Sequence, residues 1–294
     1  MDLRQLRYLD AVARRRSFTQ AALELHVAQS ALSQQVAKLE RELGVELLRR
    51  TTRRVETTEA GELVLARGRV ALAEVDAIAA DLDALRGLVR GRLRLGGVPP
   101  VSGLHPARLI ADFGRRHPGV DITIREEVAA QLIGELDAGE LDLVLALVDP
   151  ADTPPGIGGQ RLLLEDLVLI SAPDHPLARR RRVPHAALAD EPLIAYGPGS
   201  ALRAALERLV PAPQFVAQAN ELETVRELVA LGLGITLVPA AVVDGADGRL
   251  AVRPLWPRLQ VPVSLLWRAT EKPTPAARTF RDHVLHAVAN QRDA

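Results

Sequence analysis

The stretch AQSALSQQVAKL, residues 28–39, puts Ser30, Ser33, Gln34 and Ala37 at i, i+3, i+4 and i+7, neighbouring positions on a helix surface. Solvent faces of helices are usually studded with Lys and Glu; this one offers small side chains, hydroxyls and amides. Such groups suit close approach to a surface that itself donates and accepts hydrogen bonds. An amide can pair with adenine through two such bonds, and a hydroxyl can contact any base or a phosphate. The bland alternative is an exposed helix in an ordinary bundle.

A groove-reading face needs elements that hold it outward. Leu32, Val36, Leu39 and Leu43, at i, i+4, i+7 and i+11, form an apolar stripe on the other side, so a helix over roughly 29–43 is expected with that stripe buried. Gly44 closes it. Upstream, Leu3, Leu6, Leu9, Val12 and Ala13 have helical spacing, and Ser17-Phe18-Thr19-Gln20 fits a capping box that starts a short helix over about 18–25, ending near His26. Residues 45–58 (VELLRRTTRRVETT) are rich in β-branched residues and Arg, as a short hairpin would be. Two helices with a tight turn followed by a basic hairpin make a winged helix-turn-helix, whose second helix lies in the major groove.

Charge agrees. The 294 residues sum to zero, yet residues 1–58 hold 11 Lys and Arg against 7 Asp and Glu, and the remainder 26 against 30. A basic module on an acidic body is one footprint of nucleic-acid binding.

From Glu59 to Val89 no proline interrupts an Ala-rich segment, and Ala71, Val75, Ile78, Leu82, Leu85 and Val89 alternate spacings of four and three. That is a coiled-coil seam, and a helix this long needs a partner, so dimerisation through it is expected. After residues 91–97, short apolar runs (LRLGGV, VDITI, LDLVLAL, LVLISA, PLIAY, ITLVP, VSLLW) alternate with helical segments near 104–117, 130–138, 200–209, 221–232 and 275–289. Strands alternating with helices argue for parallel α/β sheets.

At this point SFTQAALELHVAQSALSQQVAKLERELGVELLRRTTRRVETTEAG resembles, over a long ungapped span, the DNA-binding domain of the LysR-type transcriptional regulators. GRLRLGGV, ADFGRRHPGV, LDAGELDLVLAL, DHPLA, DEPLIAYGPGS and LVALGLGITLVP resemble, in order, segments of that family's effector domain. The resemblance implies an α/β fold with three parts: a winged helix-turn-helix over 1–58, a linker and dimerisation helix over 59–90, and a two-lobed effector domain over 91–294 similar to periplasmic solute-binding proteins. Lobe I would take about 91–161 and 268–294, and lobe II about 162–267. It also implies a homodimer or dimer of dimers (a homotetramer) that binds a pseudo-palindrome in promoter DNA, with T and A at its ends, and responds to a small molecule.

Carried over by position, Gln29, Ser30, Ser33 and Gln34 match the family's base and backbone contacts, and Arg53 and Arg54 its wing; Thr19 and Lys38 are candidate phosphate contacts. Gln34 stands where the family more often has Arg, which favours adenine over guanine. Ala28 stands where a capping Ser is common, and Leu48 replaces a frequent Phe. For the effector, strand ends and helix N-termini suggest Pro99 to Ser102 after the first strand, Val128 to Gln131 at a helix start, Gly197 to Ser200 before another, and Asn220 to Thr224 as a further wall, with Pro100, Val101, Ser102, Ala129, Gly197, Ser200 and Thr224 as the candidate contacts. Ser102, Ser200 and Thr224 are equally readable as helix caps. The Ser or Thr that the family often places near Ala129 is missing, which weakens the case for a carboxylate effector held in the usual way.

Other features carry less. Arg179 to Arg182 read as a solvated loop, and Arg14 to Arg16 complement a helix C-terminus. The seven His show no metal spacing. Glu165-Asp166 and Glu126-Glu127 have no partner that would make an acid/base pair, and no nucleophile elbow, P-loop or dinucleotide fingerprint appears; neither an enzyme nor a cofactor is expected. Zero cysteines exclude disulfides and thiolate chemistry. MDLRQLRYLD lacks the features of a signal peptide and no long uncharged apolar run occurs, so a cytoplasmic location is expected. The rival from another class is a solute-binding module that does not touch DNA.

Overall fold

Helix α1 (Leu3–Arg15) starts at a complete capping box: the Asp2 carboxylate accepts from the Gln5 backbone N–H and the Gln5 side chain accepts from the Asp2 N–H, each at 2.8 Å. At α2 (Phe18–Glu24) the Ser17 hydroxyl accepts from Gln20 N at 3.3 Å. His26, with φ of +53°, forms the turn into α3 (Gln29–Leu43). Ala28 gives α3 no side-chain cap, and Gly44, at φ of +73°, ends it. The computed structural model describes residues 1–50, 55–85, 89–97, 99, 101, 102, 104–243, 248–270 and 273–292, in two units, Met1–Gly87 and Leu88–Ala294.

In the first unit, Leu32, Val36 and Leu39 of α3 pack against Leu9, Val12, Phe18, Leu47 and Leu65. Each such side chain contributes about 1.5–3 kcal/mol by leaving water. Leu43, expected in the same stripe, lies at the helix end and stays 38% exposed. Strands β1 (Leu48–Arg50) and β2 (Val55–Thr57) pair antiparallel as a hairpin, and its tip, including Arg53 and Arg54, lies outside the described residues. Glu40 Oε1 accepts from Leu47 N and Leu48 N at 2.9 and 3.1 Å, fastening the first wing strand to α3. Helix α4 (Glu59–Leu85) follows. Of its expected seam, Ala71 and Ile78 are exposed and Val75 is half-buried; the Leu82 and Leu85 side chains are outside the description. Among the described residues no helix is long and apolar enough to cross a membrane.

The second unit runs β3 (Arg90–Gly96), α5 (Pro106–Arg116), β4 (Gly119–Arg125), α6 (Ala129–Asp137), β5 (Leu143–Ala146), β6 (Ile157–Ser171), β7 (Val183–Pro184), β8 (Leu193–Ala195), α7 (Ala201–Leu209), β9 (Phe215–Gln218), α8 (Leu222–Ala230), β10 (Thr236–Pro239), β11 (Ala251–Arg268) and α9 (Pro275–Arg292). The main sheet has the order β10-β6-β11-β5-β3-β4, with β7 beside β11 and a separate pair β8-β9. The expectation of parallel sheets holds for β3-β4, β3-β5, β7-β11 and β8-β9. It fails for β5-β11, β6-β11 and β6-β10, which are antiparallel. The reason is that β6 and β11 are long paired strands that run through both lobes and lend each an antiparallel member. Apolar runs of four to six residues do not reveal their partners' direction.

Lobe I is built around Leu93, Leu95, Phe113, Leu143, Leu162, Val263, Leu265 and Phe280, and lobe II around Leu167, Ile170, Ile194, Val225, Val229, Val238 and Val261. The chain therefore changes lobe between Leu162 and Leu167 on β6 and between Val261 and Val263 on β11, a few residues inside the span expected for lobe II.

Candidate nucleic-acid interface and ligand cleft

With α3 held from behind by its apolar stripe, Gln29, Ser30, Gln34 and Lys38 are exposed, and Ser33 and Ala37 are half-buried beside them. The four positions carried over to base contact thus share one accessible helix face. Thr19, exposed in the first turn of α2, could take a backbone phosphate, and Lys38 Nζ lies 3.8 Å from Glu42 Oε1. At the end of α1 the Arg cluster has a structural task that spacing did not show: Arg14 and Arg15 both bind the Glu24 carboxylate, at 2.8 and 2.6 Å. Arg15 first, then Arg14, hold that carboxyl below its ordinary range against the opposing effect of burial. Asp10, bonded to Arg14 at 3.0 Å and to Arg69 at 2.7 Å, ties α1 to α4.

Between the lobes lies a cavity of about 420 Å³ lined by Gly97, Pro99, Glu126 to Ala129, Leu132, Leu145 to Leu147, Tyr196, Ser200 to Leu202, Asn220 and Glu221. Helices α6, α7 and α8 begin along this lining, at Ala129, Ala201 and Leu222. Of the candidate contacts, Ala129 and Ser200 line the cavity, and Pro99, Val128, Asn220 and Glu221 of the expected segments do so too; Ser200 also caps α7 by accepting from Leu202 N. The others are placed differently. Val101 is buried in the lobe I core, so its side chain cannot face a ligand. Ser102 donates its hydroxyl to Glu165. Gly197 gives its N–H to Asn220 Oδ1 at 2.8 Å, leaving Asn220 as the lining residue. Thr224 is exposed on α8 and is not part of the lining. Pro100 lies outside the described residues. Strand ends and helix starts located the cleft; which side chain turns inward depends on packing that one sequence does not display.

Tyr196, Glu126 and Glu127 went unnoticed as parts of this region. Tyr196 is only 7% exposed, its hydroxyl has no hydrogen-bond partner among the described residues, and burial pushes its ionisation upward. Glu126, Glu127 and Glu221 bring carboxylates to the rim. Glu165, also unnoticed, is fully buried where β6 crosses between lobes: it accepts from Ser102 N at 2.7 Å, Ser102 Oγ at 2.9 Å and Ala241 N at 3.1 Å. One carboxylate thus binds the loop after β3 to the turn after β10. The signal was a Glu set between the apolar runs 162–164 and 167–170 of one strand. The lobes also touch directly, Ala130 N donating to Gly199 O at 3.4 Å. Arg179 to Arg182 are exposed, as a solvated loop would be, with the Arg182 guanidinium 5.0 Å over the Trp256 ring.

An outward-facing polar helix on a winged scaffold, and a separate two-lobed unit with an internal cleft, together define a DNA-binding regulator with a ligand-binding domain. The chain belongs to the LysR family of bacterial transcriptional regulators: residues 3–62 match the bacterial regulatory helix-turn-helix protein of the lysR family, and residues 86–289 the LysR substrate binding domain. It is 35% identical to the RuBisCO operon transcriptional regulator of Allochromatium vinosum, over 98% of this chain and 97% of that one. Among solved structures it is similar to full-length OxyR of Pseudomonas aeruginosa carrying a cysteine-to-aspartate substitution, with 29% identity, a TM-score of 0.78 and coverage of 98% and 94%. It is also similar to full-length CbnR in complex with its target DNA, with 25% identity, a TM-score of 0.65 and coverage of 98% and 100%.

Proposed function

We propose that this regulator reads a promoter pseudo-palindrome with two copies of α3, joined as a homodimer or dimer of dimers through α4, and that a small molecule in the inter-lobe cleft sets how the two copies engage DNA. The observation that carries the reading is the exposed face of α3, amides and hydroxyls with Lys38 beyond them, shaped for a groove and not for water. Gln29, Ser30, Ser33 and Gln34 contact bases and nearby backbone, Thr19 and Lys38 phosphates, and Arg53 and Arg54 the flanking DNA. Residues 1–58, 59–90 and 91–294 act as reader, linker and sensor. Ile78, 62% exposed in a single chain, is what an unoccupied seam would leave in water. The relative solved with its target DNA supports the docking mode. The protein acts in the cytoplasm and catalyses no reaction. Although one similar structure is an OxyR altered at a cysteine, this chain has no cysteine, so its signal is not thiol oxidation.

Fluorescence anisotropy on the duplex upstream of its own gene, in a salt series with nonspecific competitor, tests the reading. Tight, competitor-resistant binding that weakens steeply with salt is expected from counterion release. Failure to bind any duplex, even nonspecifically at low salt, would refute it in favour of a solute-binding module.

A further inference from the structure

We propose that the inter-lobe cleft selects a small organic cation, an amine or amidine on an apolar body, and not a carboxylate. The inference rests on reading that cleft as the effector site. Among the described residues its lining holds three carboxylates, Glu126, Glu127 and Glu221, and no Lys or Arg. The nearest cations on the same elements are committed elsewhere: Arg125 to Glu135 at 2.9 Å and Glu140 at 3.6 Å, Arg203 to Glu207 and Gln218 at 2.8 and 2.9 Å, and Arg226 to Glu223 at 3.8 Å.

Three helix N-termini face the same space and would favour an anion, so magnitudes must decide. Each terminus is worth roughly +0.5 of a charge, about +1.5 for three, against three full negative charges. Two termini are further offset by their own sequence. Ser200 Oγ already takes the Leu202 N–H of α7, and Glu223 adds an acid to the first turn of α8.

Leu132, Leu145 and Leu202 supply the apolar wall for the body of the ligand. An ammonium can donate three hydrogen bonds and accepts none, which matches a rim of carboxylate acceptors.

The test uses the full-length protein and two matched pairs of probes, 1,4-diaminobutane with hexanedioate and 2-phenylethylamine with 3-phenylpropanoate. Thermal unfolding and anisotropy on the promoter duplex are both read. The amines are expected to bind saturably and to change DNA affinity, and the acids to do neither. Glu126→Gln combined with Glu221→Gln, both exposed and safe for folding, should weaken amine binding by tenfold or more, on the order expected for two charge-assisted hydrogen bonds. If the acids bind instead, and the Gln variant binds them more tightly, the cationic class is wrong while the cleft stands. If amines bind the wild type, the Gln variant and a cleft-filling Ala129→Trp variant equally, the cleft itself is not the site. If no probe binds, the proposal fails.

Discussion

A carboxylate without solvent contact persists in a strand only when its oxygens are engaged, and Glu165 meets that condition through Ser102 and Ala241. Hydrogen bonds to a charged acceptor are worth about 1.5–3 kcal/mol each, so Glu165→Ala should cost about 3 kcal/mol or more once the stranded N–H groups are included. A drop in the urea midpoint measures it, and an unchanged midpoint would show the contacts to be energetically idle. Gln34→Ala should cost about 1–3 kcal/mol at one base position and leave nonspecific binding intact; competition with single-base variants of the duplex reads this. His117 provides a pH dependence. Burial first, then His283 and Arg116, lower its proton affinity, and its ring centroid lies 4.6 Å from that of Phe113, the two planes tilted by 48°. A histidine with a lowered folded value leaves stability intact above the unfolded value of about 6.5. Below that the unfolded chain gains a proton that the folded one resists. The unfolding midpoint should fall as pH drops from 7 to 5.5, less so in His117→Gln.

At the scale of elements, α3 and the wing were largely legible because their determinants are local: an apolar stripe, a glycine stop and β-branched pairs. What stayed hidden is contact between elements distant in sequence, such as the Glu40 carboxylate on the β1 backbone. Gly61 is another case. It reads as a helix-weakening residue, yet a Cβ there would sit 2.1 Å from the Leu47 carbonyl oxygen, so α4 can pass β1 only without a side chain. Gly61→Ala, normally stabilising in a helix, should instead destabilise by about 1–3 kcal/mol as an overpacked site does. Thermal unfolding of the variant would settle the sign. The uncapped Ala28 makes the opposite prediction: Ala28→Ser should add about 1 kcal/mol, with the reading face unchanged in anisotropy.

At the scale of the molecule, the division into reader and sensor was readable from composition and strand–helix alternation, whereas the strand directions and the depth of the crossing were not. Two strands, β6 and β11, run paired through both lobes, and Ala130 N donates to Gly199 O from one lobe to the other. Gly199 has φ of +84°, and a Cβ there would lie 2.8 Å from the Ala130 side chain. Gly199→Val should therefore cost at least about 1 kcal/mol in backbone strain and hold the lobes apart; faster hydrogen exchange at the Ala130 amide is the expected signature.

The interrupted path of lobe I also orders events at the ribosome. The first unit has a core drawn wholly from one contiguous stretch of chain. Lobe I needs Val263, Leu265, Phe280 and Val284 to complete a core begun at Leu93. At about 5–20 residues per second, roughly 200 further residues take on the order of 10 s or more to emerge. Each nascent molecule thus carries a finished reader well before it can sense anything, and a chain broken off ahead of β11 would keep its grip on DNA while being deaf to the signal.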